Sequence, residues 1–327
     1  MKWICMETHT HTVHSDASYT VNDLLRAAGN AGLDAIALTD HNTDTGFDEI
    51  AAGQTAPRVV PGIEWTTFFG HVVVIAPDGF VEWRDLSKDN LDAHLRQVHK
   101  QNGVAVMAHP YIAGEPFCCG CHWDFDIPDY GQIDAIEVWS EGDPDLKPWN
   151  QKAYWTWQKK IAEGFRITAL TARDWHRDDA PEVIYGVNYL YIDETKPFAE
   201  AVKDALRGGR SYLTAGPVLH FEVKTDGITA GIGETAAAGT AEISVGAFDT
   251  ARKSIWDAYE LIPESFVIKN LEYRSGARHR LEIPFTAYGA VAEVTAEVFP
   301  GPLFVELIGT AHGKRCKLAL TNPVWVE

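Results

Sequence analysis

The stretch Trp3-Ile-Cys-Met-Glu-Thr-His-Thr-His11 joins a short apolar run to two histidines that are two positions apart. The apolar residues predict a buried β-strand. Residues at i and i+2 of an extended segment point to the same side, so His9 and His11 can chelate one ion, as His-x-His pairs commonly do. Asp16 follows and adds a carboxylate. The stretch predicts a strand whose end carries metal-binding side chains.

Four further predicted strands run into side chains of the same kind. They are Ala35 to Leu38 before Thr39-Asp40-His41, Arg58 to Val60 before Gly62-Ile63-Glu64, Val104 to Met107 before His109, and Ile167 to Leu170 before Asp174 and His176. In a (β/α) barrel all these strand ends converge on the face that carries the catalytic groups. We therefore expect one metal site built from all five segments. Imidazole and carboxylate ligands together favour Zn, Mn or Fe over Ca or Mg.

Helical stretches alternate with these strands, which is typical of βα units around a parallel sheet. Val72 to Ile75, Ile133 to Val138 and Val187 to Ile192 complete eight predicted strands, and the predicted helices are Thr20 to Gly32, Asp89 to Gln101, Pro148 to Glu163 and Pro197 to Leu206. Beyond Gly216 the segments become short and alternating, which predicts an all-β appendage. We therefore expect two domains, residues 1–215 and 216–327.

Composition narrows the class of protein. The chain has 327 residues, 46% hydrophobic residues and a formal net charge of -18. So acidic a chain is not expected to bind a nucleic acid polymer, because such binding depends on clustered Lys and Arg. The sequence shows no apolar run long enough for a signal peptide or a membrane span, and its five cysteines give a poor basis for disulfides. A cytoplasmic enzyme without a membrane partner is the expectation.

The ordered motifs resemble the PHP (polymerase and histidinol phosphatase) family. They are His-Thr-His-Thr-x-x-Ser-Asp (His9 to Asp16), Thr-Asp-His (Thr39 to His41), Gly-Ile-Glu (Gly62 to Glu64), Ala-His-Pro (Ala108 to Pro110) and Asp-x-His (Asp174 to His176). The resemblance covers about residues 1 to 215. It implies a distorted, TIM-like (β/α)7 barrel with two or three divalent metal ions, usually hydrolysing phosphate esters.

The resemblance also implies a ligand set for each of three ions. The first would be held by His9, His11, Glu64 and Asp174, the second by Asp16, His41 and His176, and the third by Glu64, His71 and His109. Ala17 and Glu7 depart from the usual Gly and Asp of the family pattern, but neither departure removes a ligand.

The C-terminal part resembles the branch of PHP-like proteins that includes carbaryl hydrolases, whose members carry a β-sandwich after the barrel. The segments that carry this resemblance are Ala205 to Pro217 and Leu320 to Val326. Two enzyme hypotheses follow: a phosphoesterase acting on a small phosphorylated metabolite or nucleotide, and a carboxyl ester or carbamate hydrolase. A third hypothesis is a binding protein in which the barrel has lost its activity and the sandwich makes the interaction.

The predicted mechanism is hydrolysis by a hydroxide that bridges the metals, because cations lower the pKa of bound water. Asp40 or His14 could act as a general acid, although either can also be a supporting or surface residue. Arg173 and Arg177 could clamp a phosphate, which suits the geometry of arginine. The segment Cys118-Cys-Gly-Cys121-His122 is interpreted as a loop that shapes the substrate pocket, or alternatively as a structural zinc site.

Overall fold

The computed structural model describes residues 1–51, 53–113, 123–178, 180, 183–249 and 260–327. Within these ranges the chain is a mixed α/β protein with few helices, one 15-stranded sheet and one 4-stranded sheet. None of its described helices is both long enough and apolar enough to cross a membrane. Residues 118–122, the predicted pocket loop or zinc site, lie outside the described ranges.

The elements follow one another in this order along the chain: β1 (Lys2–Glu7), α1 (Val21–Asn30), β2 (Ala35–Leu38), β3 (Arg58–Thr67), β4 (Gly70–Ile75), α2 (Leu91–Lys100), β5 (Val104–Met107), β6 (Ala135–Ser140), α3 (Pro148–Ala162), β7 (Thr168–Ala172), β8 (Val187–Ile192), α4 (Phe198–Arg207), β9 (Ser211–Thr214), β10 (Val218–Thr225), β11 (Ile228–Gly231), β12 (Thr235–Ala236), β13 (Gly239–Phe248), β14 (Ile262–Leu271), β15 (Arg278–Pro284), β16 (Val291–Val298), β17 (Gly301–Ala311), β18 (Lys314–Thr321) and β19 (Val324–Val326). Short 3-10 helices lie at Thr45–Glu49, Tyr130–Gln132 and Pro144–Leu146.

The N-terminal elements agree with the sequence-based prediction. All eight predicted strands and all four predicted helices are present, with shifts of one or two residues at their ends except in β3, which continues past the predicted Val60 to Thr67. Helix α1 begins with a capping box in which the side chains of Thr20 and Asp23 each bond the other's backbone N–H. Its buried residues Val21, Leu24 and Ala28 lie on one face, as the helical period requires. Local sequence signals therefore define these elements.

The large sheet combines parallel and antiparallel pairs. β1, β2 and β3 are parallel neighbours, and so are β5, β6 and β7. β4 lies antiparallel between β3 and β5, and β8 is antiparallel to β1. Glu64, predicted to follow β3, lies within it, because the hairpin with β4 prolongs β3 to Thr67. The start of β4 therefore lies at the same edge as the ends of its neighbours.

The expected closed barrel is not seen, because the sheet is not closed. The hydrogen-bonded strand order ends at β7, and in the described ranges no backbone ladder pairs β7 with β8 or β9. Side-chain amides bridge this gap instead. Asn188 accepts a bond from Thr171 N at 3.0 Å and donates to Thr171 O at 2.7 Å, and Asn322 makes the same pair with Ala169 at 2.7 and 3.1 Å.

The C-terminal strands form the remaining part of the large sheet and all of the small sheet. β9 pairs with β18, so the large sheet continues across residue 215 without a break. The small sheet has the order β11-β10-β13-β16. Phe221 and Ile243 of the small sheet share a buried core with Phe266 and Leu307 of the large one. Every regular element in the described ranges 216–249 and 260–327 is a strand, as predicted, while the boundary at 215 stays a prediction.

Candidate metal centre

Two extended segments form the floor of the site. The residues after β1 pair with those after β7, since His11 N donates to Trp175 O at 3.0 Å and Trp175 N donates to His9 O at 3.2 Å. Thr10 and Trp175 form the corresponding parallel bridge. Because side chains alternate along both segments, His9, His11, Asp174 and His176 face the same side.

The first predicted ligand group converges on a single point. Glu64 Oε2 lies 3.1 Å from His9 Nε2 and 3.4 Å from His11 Nε2. Asp174 Oδ1 lies 3.4 Å and 3.0 Å from the same two nitrogens. One ligand atom from each of these four residues lies within 4.8 Å of the others, so the set can hold one ion.

The second group lies beside the first and opens toward solvent. Asp16 Oδ1 lies 3.1 Å from His176 Nε2 and 3.5 Å from His41 Nε2. His11 belongs to this group as well as to the first, and its ring centroid is 4.0 Å from that of His176. The two groups thus share His11, which brings two candidate ion positions close together.

The other carboxylate oxygen of Glu64 contacts the third predicted group. Glu64 Oε1 lies 2.7 Å from His71 Nδ1 and 3.2 Å from His109 Nε2. His41 Nδ1 also approaches Glu64, at 2.7 Å from Oε2, and it contacts the hydroxyl of Thr66. Among the described residues, the group here that could hold an ion is Glu64, His71 and His41 rather than the predicted Glu64, His71 and His109, because His109 groups with His9 and Glu137. The nine predicted metal residues nevertheless form one continuous cluster.

Buried polar atoms that lack hydrogen bonds show that these residues fit metal ions. Among the described residues, His9 Nε2, His11 Nε2, Glu64 Oε2 and Asp174 Oδ1 make no hydrogen bond of acceptable geometry, although the nitrogens lie 3.0–3.4 Å from the oxygens. His11 Nδ1 and His71 Nε2 are also buried without a hydrogen bond. Unsatisfied buried polar groups are costly and rare, and an ion is one of the few reasons to keep them. The donor set of imidazoles and carboxylates suits Zn, Mn or Fe.

The Glu64 and Asp174 carboxylates of the ligand groups are ionised and lie against histidine rings. Burial opposes ionisation of Glu64 and Asp174, but the neighbouring His9 ring and further histidines hold the pKa of both carboxyls well below the usual range. Burial lowers the pKa of His11 to about 4, which leaves its ring neutral. Burial also disfavours charge on His109, but Glu64 and Asp174 raise its pKa to about 9.

Two buried glutamates at the site were not predicted. Glu137 in β6 accepts from His9 Nδ1 at 2.8 Å through Oε1 and from His109 N at 2.8 Å through Oε2. Glu7 at the end of β1 accepts from the backbone N–H groups of Thr8, His9 and Arg173, and burial raises its pKa to about 7 against the effect of Arg173. A charged residue inside an apolar strand run was the available signal, because unpaired buried charge is costly.

Glu137 also belongs to a possible ion-binding group with His9 and His109. Its contacts favour an orienting role, because His9 Nε2 faces Glu64 and Asp174 while His9 Nδ1 faces Glu137. A carboxylate on the far nitrogen of a metal-binding histidine fixes its tautomer and ring orientation.

The predicted acid Asp40 lies behind the site. Its carboxylate accepts from Thr12 N at 2.6 Å, Thr12 Oγ1 at 2.7 Å and Ser15 Oγ at 2.8 Å. These bonds hold the loop that carries His11 and Asp16. The alternative acid His14 contacts Thr45 and Glu49 instead. Catalysis by Asp40 stays a prediction, while its contacts show a role in loop geometry.

The predicted arginines lie at an adjoining cavity of about 780 Å³. Its walls include Asp16, Asp174 and His176 from the ligand groups, as well as Arg173 and Arg177. Arg173 is buried, and its guanidinium lies 4.6 Å from the ring centre of Trp175 and 5.4 Å from that of Tyr185. Arg177 and the ligand residues thus line one cavity, whereas the Arg173 side chain is buried with its Nε 3.5 Å from Glu7 Oε2.

A dispersed set of His, Asp and Glu at strand ends, open to a polar cavity, is the type of site that metal-dependent hydrolases use. In agreement with this class, residues 7–72 match the family model described as the PHP domain. That segment contains His9, His11, Asp16, His41, Glu64 and His71. A comparison with curated protein sequences gives no match.

Three solved structures are similar at low identity. A two-domain protein from Bacteroides vulgatus, described as containing a predicted PHP-like metal-dependent phosphoesterase, is 14% identical over 99% of this chain and 95% of its own, with a TM-score of 0.48. A putative metal-dependent phosphoesterase from Bifidobacterium adolescentis is 17% identical over 54% and 89%, with a TM-score of 0.39. An amidohydrolase from Chromobacterium violaceum, with bound sulfate and no metal, is 18% identical over 52% and 87%, with a TM-score of 0.33. Similarity at this level carries no argument about this chain.

Proposed function

We propose that this chain is a metal-dependent phosphoesterase of the PHP type that hydrolyses a small phosphorylated metabolite or nucleotide. The observation that carries the proposal is the convergence of the nine His, Asp and Glu side chains beside a cavity that also holds two arginines. Glu64 lies at the centre of the ligand groups, with His9, His11 and Asp174 on one side and His71 and His109 on the other.

Two or three divalent ions would be held by these residues in the groups described above. Such ions, when bound, lower the pKa of a water molecule and offset negative charge on substrate oxygens. The protein contributes the geometry: Asp40 holds the loop of His11 and Asp16, and Glu137 orients His9. Arg177 and Arg173 supply positive charge where a phosphate would enter.

A carboxyl ester or carbamate hydrolase is the second candidate on the same centre. The observation that favours it is the presence of Trp175 and Tyr185 in the cavity wall, since aromatic faces suit a substrate without charge. The C-terminal resemblance to the carbaryl hydrolase branch supports the same candidate.

Parallel assays separate the two candidates. Purified protein supplied with Mn, Zn or Fe would be tested on p-nitrophenyl phosphate, bis-p-nitrophenyl phosphate and p-nitrophenyl acetate. We expect turnover of a phosphate substrate and its loss in the His9→Ala/His11→Ala double variant. Arg177→Ala should raise KM for the phosphate substrate only, whereas Arg274→Ala, at an exposed position outside the cavity, should leave it unchanged. Turnover of the acetate alone would overturn the phosphoesterase proposal.

A further inference from the structure

Glu141 is an acidic residue of the cavity wall that the ligand groups do not use. It directly follows β6 and lines the cavity together with Asp174, His176, Arg173 and Arg177. Other carboxylates of the cavity have partners: Asp16 and Asp174 face the histidines, and Asp178 accepts from Tyr19 at 2.9 Å. Within the described ranges, the Glu141 carboxylate has neither a hydrogen bond nor an ion pair. It is therefore available to a substrate.

The backbone of Glu141 has a left-handed conformation, which residues other than glycine rarely adopt. Its φ is 60°, and that of Asp143 is 54°. Three backbone contacts hold this left-handed turn. Glu141 N donates to Ala172 O at 2.9 Å, and Asp143 N donates to Ile184 O at 2.7 Å. Between them, Gly142 forms a β-bridge with Tyr185. Strained residues persist only where the surroundings impose them, and they concentrate at functional sites.

Other strained residues occupy the same part of the molecule. His109 has a φ of 24°, Asp174 of 51°, and Asn42, which follows His41, of 56°. Two of these are predicted ligands and the third adjoins one, although Ala76, Asn102, Asp226 and His312 have a positive φ away from the site. Glu141 shares this backbone conformation with two predicted ligands, His109 and Asp174, while its own side chain is in none of the ligand groups.

We propose that Glu141 is the acid that gives its proton to the leaving-group oxygen, an inference that rests on the proposed phosphoesterase function. In the step, a water molecule supplies oxygen to phosphorus and the bond from phosphorus to the ester oxygen breaks. The proton of the Glu141 carboxyl passes to that oxygen, which departs as an alcohol. The attacking water releases one proton to solvent, and the Glu141 carboxylate takes one proton up from solvent, so that overall one water is consumed and an alcohol and phosphate are released.

The environment of the carboxyl supports this role. Glu141 is exposed at the cavity wall, yet partial desolvation and then the nearby Asp174 carboxylate raise its pKa, against the smaller lowering effects of His109, Lys147 and Arg177. Asp40 is less suited, because its oxygens already accept three hydrogen bonds inside the loop.

The test compares two leaving groups. Nitrophenolate is weakly basic and departs without being protonated, whereas an alkoxide is strongly basic and needs a proton. Wild-type protein and Glu141→Gln would be compared on p-nitrophenyl phosphate and on an alkyl phosphate. We expect kcat on the alkyl ester to fall by about 10²–10⁴-fold in Glu141→Gln, as general acid catalysis predicts, and kcat on the nitrophenyl ester to change far less. Glu194→Gln, at an exposed position outside the cavity, is the matched control.

The outcomes are distinguishable. Equal losses on both esters, or no loss on either, in a variant with wild-type metal content and thermal unfolding would overturn the role of Glu141 alone. If the wild-type protein hydrolyses neither phosphate ester under any of the three metals, the phosphoesterase proposal fails, and the role of Glu141 fails with it.

Discussion

At the scale of single residues, Glu64 joins the parts of the site. Its two oxygens lie between 2.7 and 3.4 Å from five histidines, and the residue is fully buried. A carboxylate with two oxygens can contact two ions at once, which one imidazole nitrogen cannot. Glu64 lies within β3, whose backbone is paired with β2 on one side and with β4 on the other.

Glu137 provides a test of orientation at the same scale. In Glu137→Ala the His9 ring loses its partner on Nδ1 and the His109 backbone N–H loses its acceptor. We expect metal affinity to fall by about 10–100-fold, which is the usual effect of losing such a partner. A competition titration with a chromogenic chelator measures this, with Glu194→Ala as control. Unchanged affinity would show that Glu137 does not position the ligands.

A second residue-scale prediction concerns pH and lies far from the ligands. The hydrogen bond from His99 to Asp134, 3.0 Å long, raises the pKa of His99. A raised pKa in the folded state means that the stabilisation is complete below the unfolded pKa of about 6.5 and is lost as the pH rises through the folded value.

We therefore expect His99→Gln to lower the free energy of unfolding by roughly 0.5–1 kcal/mol at pH 6 and by less at pH 9. Urea denaturation at the two pH values checks this. A loss that is greater at pH 9 than at pH 6 contradicts the assigned pair. His220→Gln, whose ring contacts Ser244 rather than a carboxylate, should show no such difference.

At the scale of elements, the sheet depends on side chains where its backbone pairing stops. Asn322, between β18 and β19, bonds Ala169 of β7 and Ser211 of β9. Since β7 leads to Asp174 and His176, this asparagine holds the strand that delivers two predicted ligands. The amide is fully buried, so its partners have no contact with bulk solvent there.

We expect Asn322→Ala to destabilise the protein by about 2–4 kcal/mol, because it leaves several buried backbone groups without partners. Chemical denaturation of the metal-loaded protein measures the change. Asn30→Ala, at the exposed end of α1, should cost far less. Similar small losses in both variants would mean that β7 is held by its packing alone.

At the scale of the whole molecule, the chain is strongly acidic and its ligand groups contain buried carboxylates, and both features favour the binding of cations. The chain carries a formal net charge of -18, and buried carboxylates lie at the centre of the ligand groups. Ions that bind only the folded state stabilise it by mass action. Folding and metal loading should therefore be linked.

Removing the metal with EDTA should lower Tm. Free ions at about 1,000 times Kd add about 4 kcal/mol to the free energy of unfolding. Adding back Zn, Mn or Fe should restore it, as followed by circular dichroism. In the His9→Ala/His11→Ala double variant the chelator should have little effect. An equal shift in wild type and double variant would show that EDTA acts elsewhere.

The sequence by itself determined the elements of the N-terminal part and which side chains at the strand ends lie close together. The apolar runs before His9, His41, His109 and Asp174 defined the strands, because period and local caps act over a few residues. Since parallel strand ends share an edge, the order of the motifs was enough to predict that these side chains meet.

Only the tertiary structure decided how the sheet ends and which groups support the ligands. The hydrogen bonds of the Asn188 and Asn322 side chains join positions far apart in sequence, so no local pattern predicts them. Glu137 and Glu141 lay in or beside an ordinary strand run, and their roles depend on what packs against them and on one left-handed turn. Local interactions fixed the strands, whereas long-range packing decided which polar groups meet at the ligand groups.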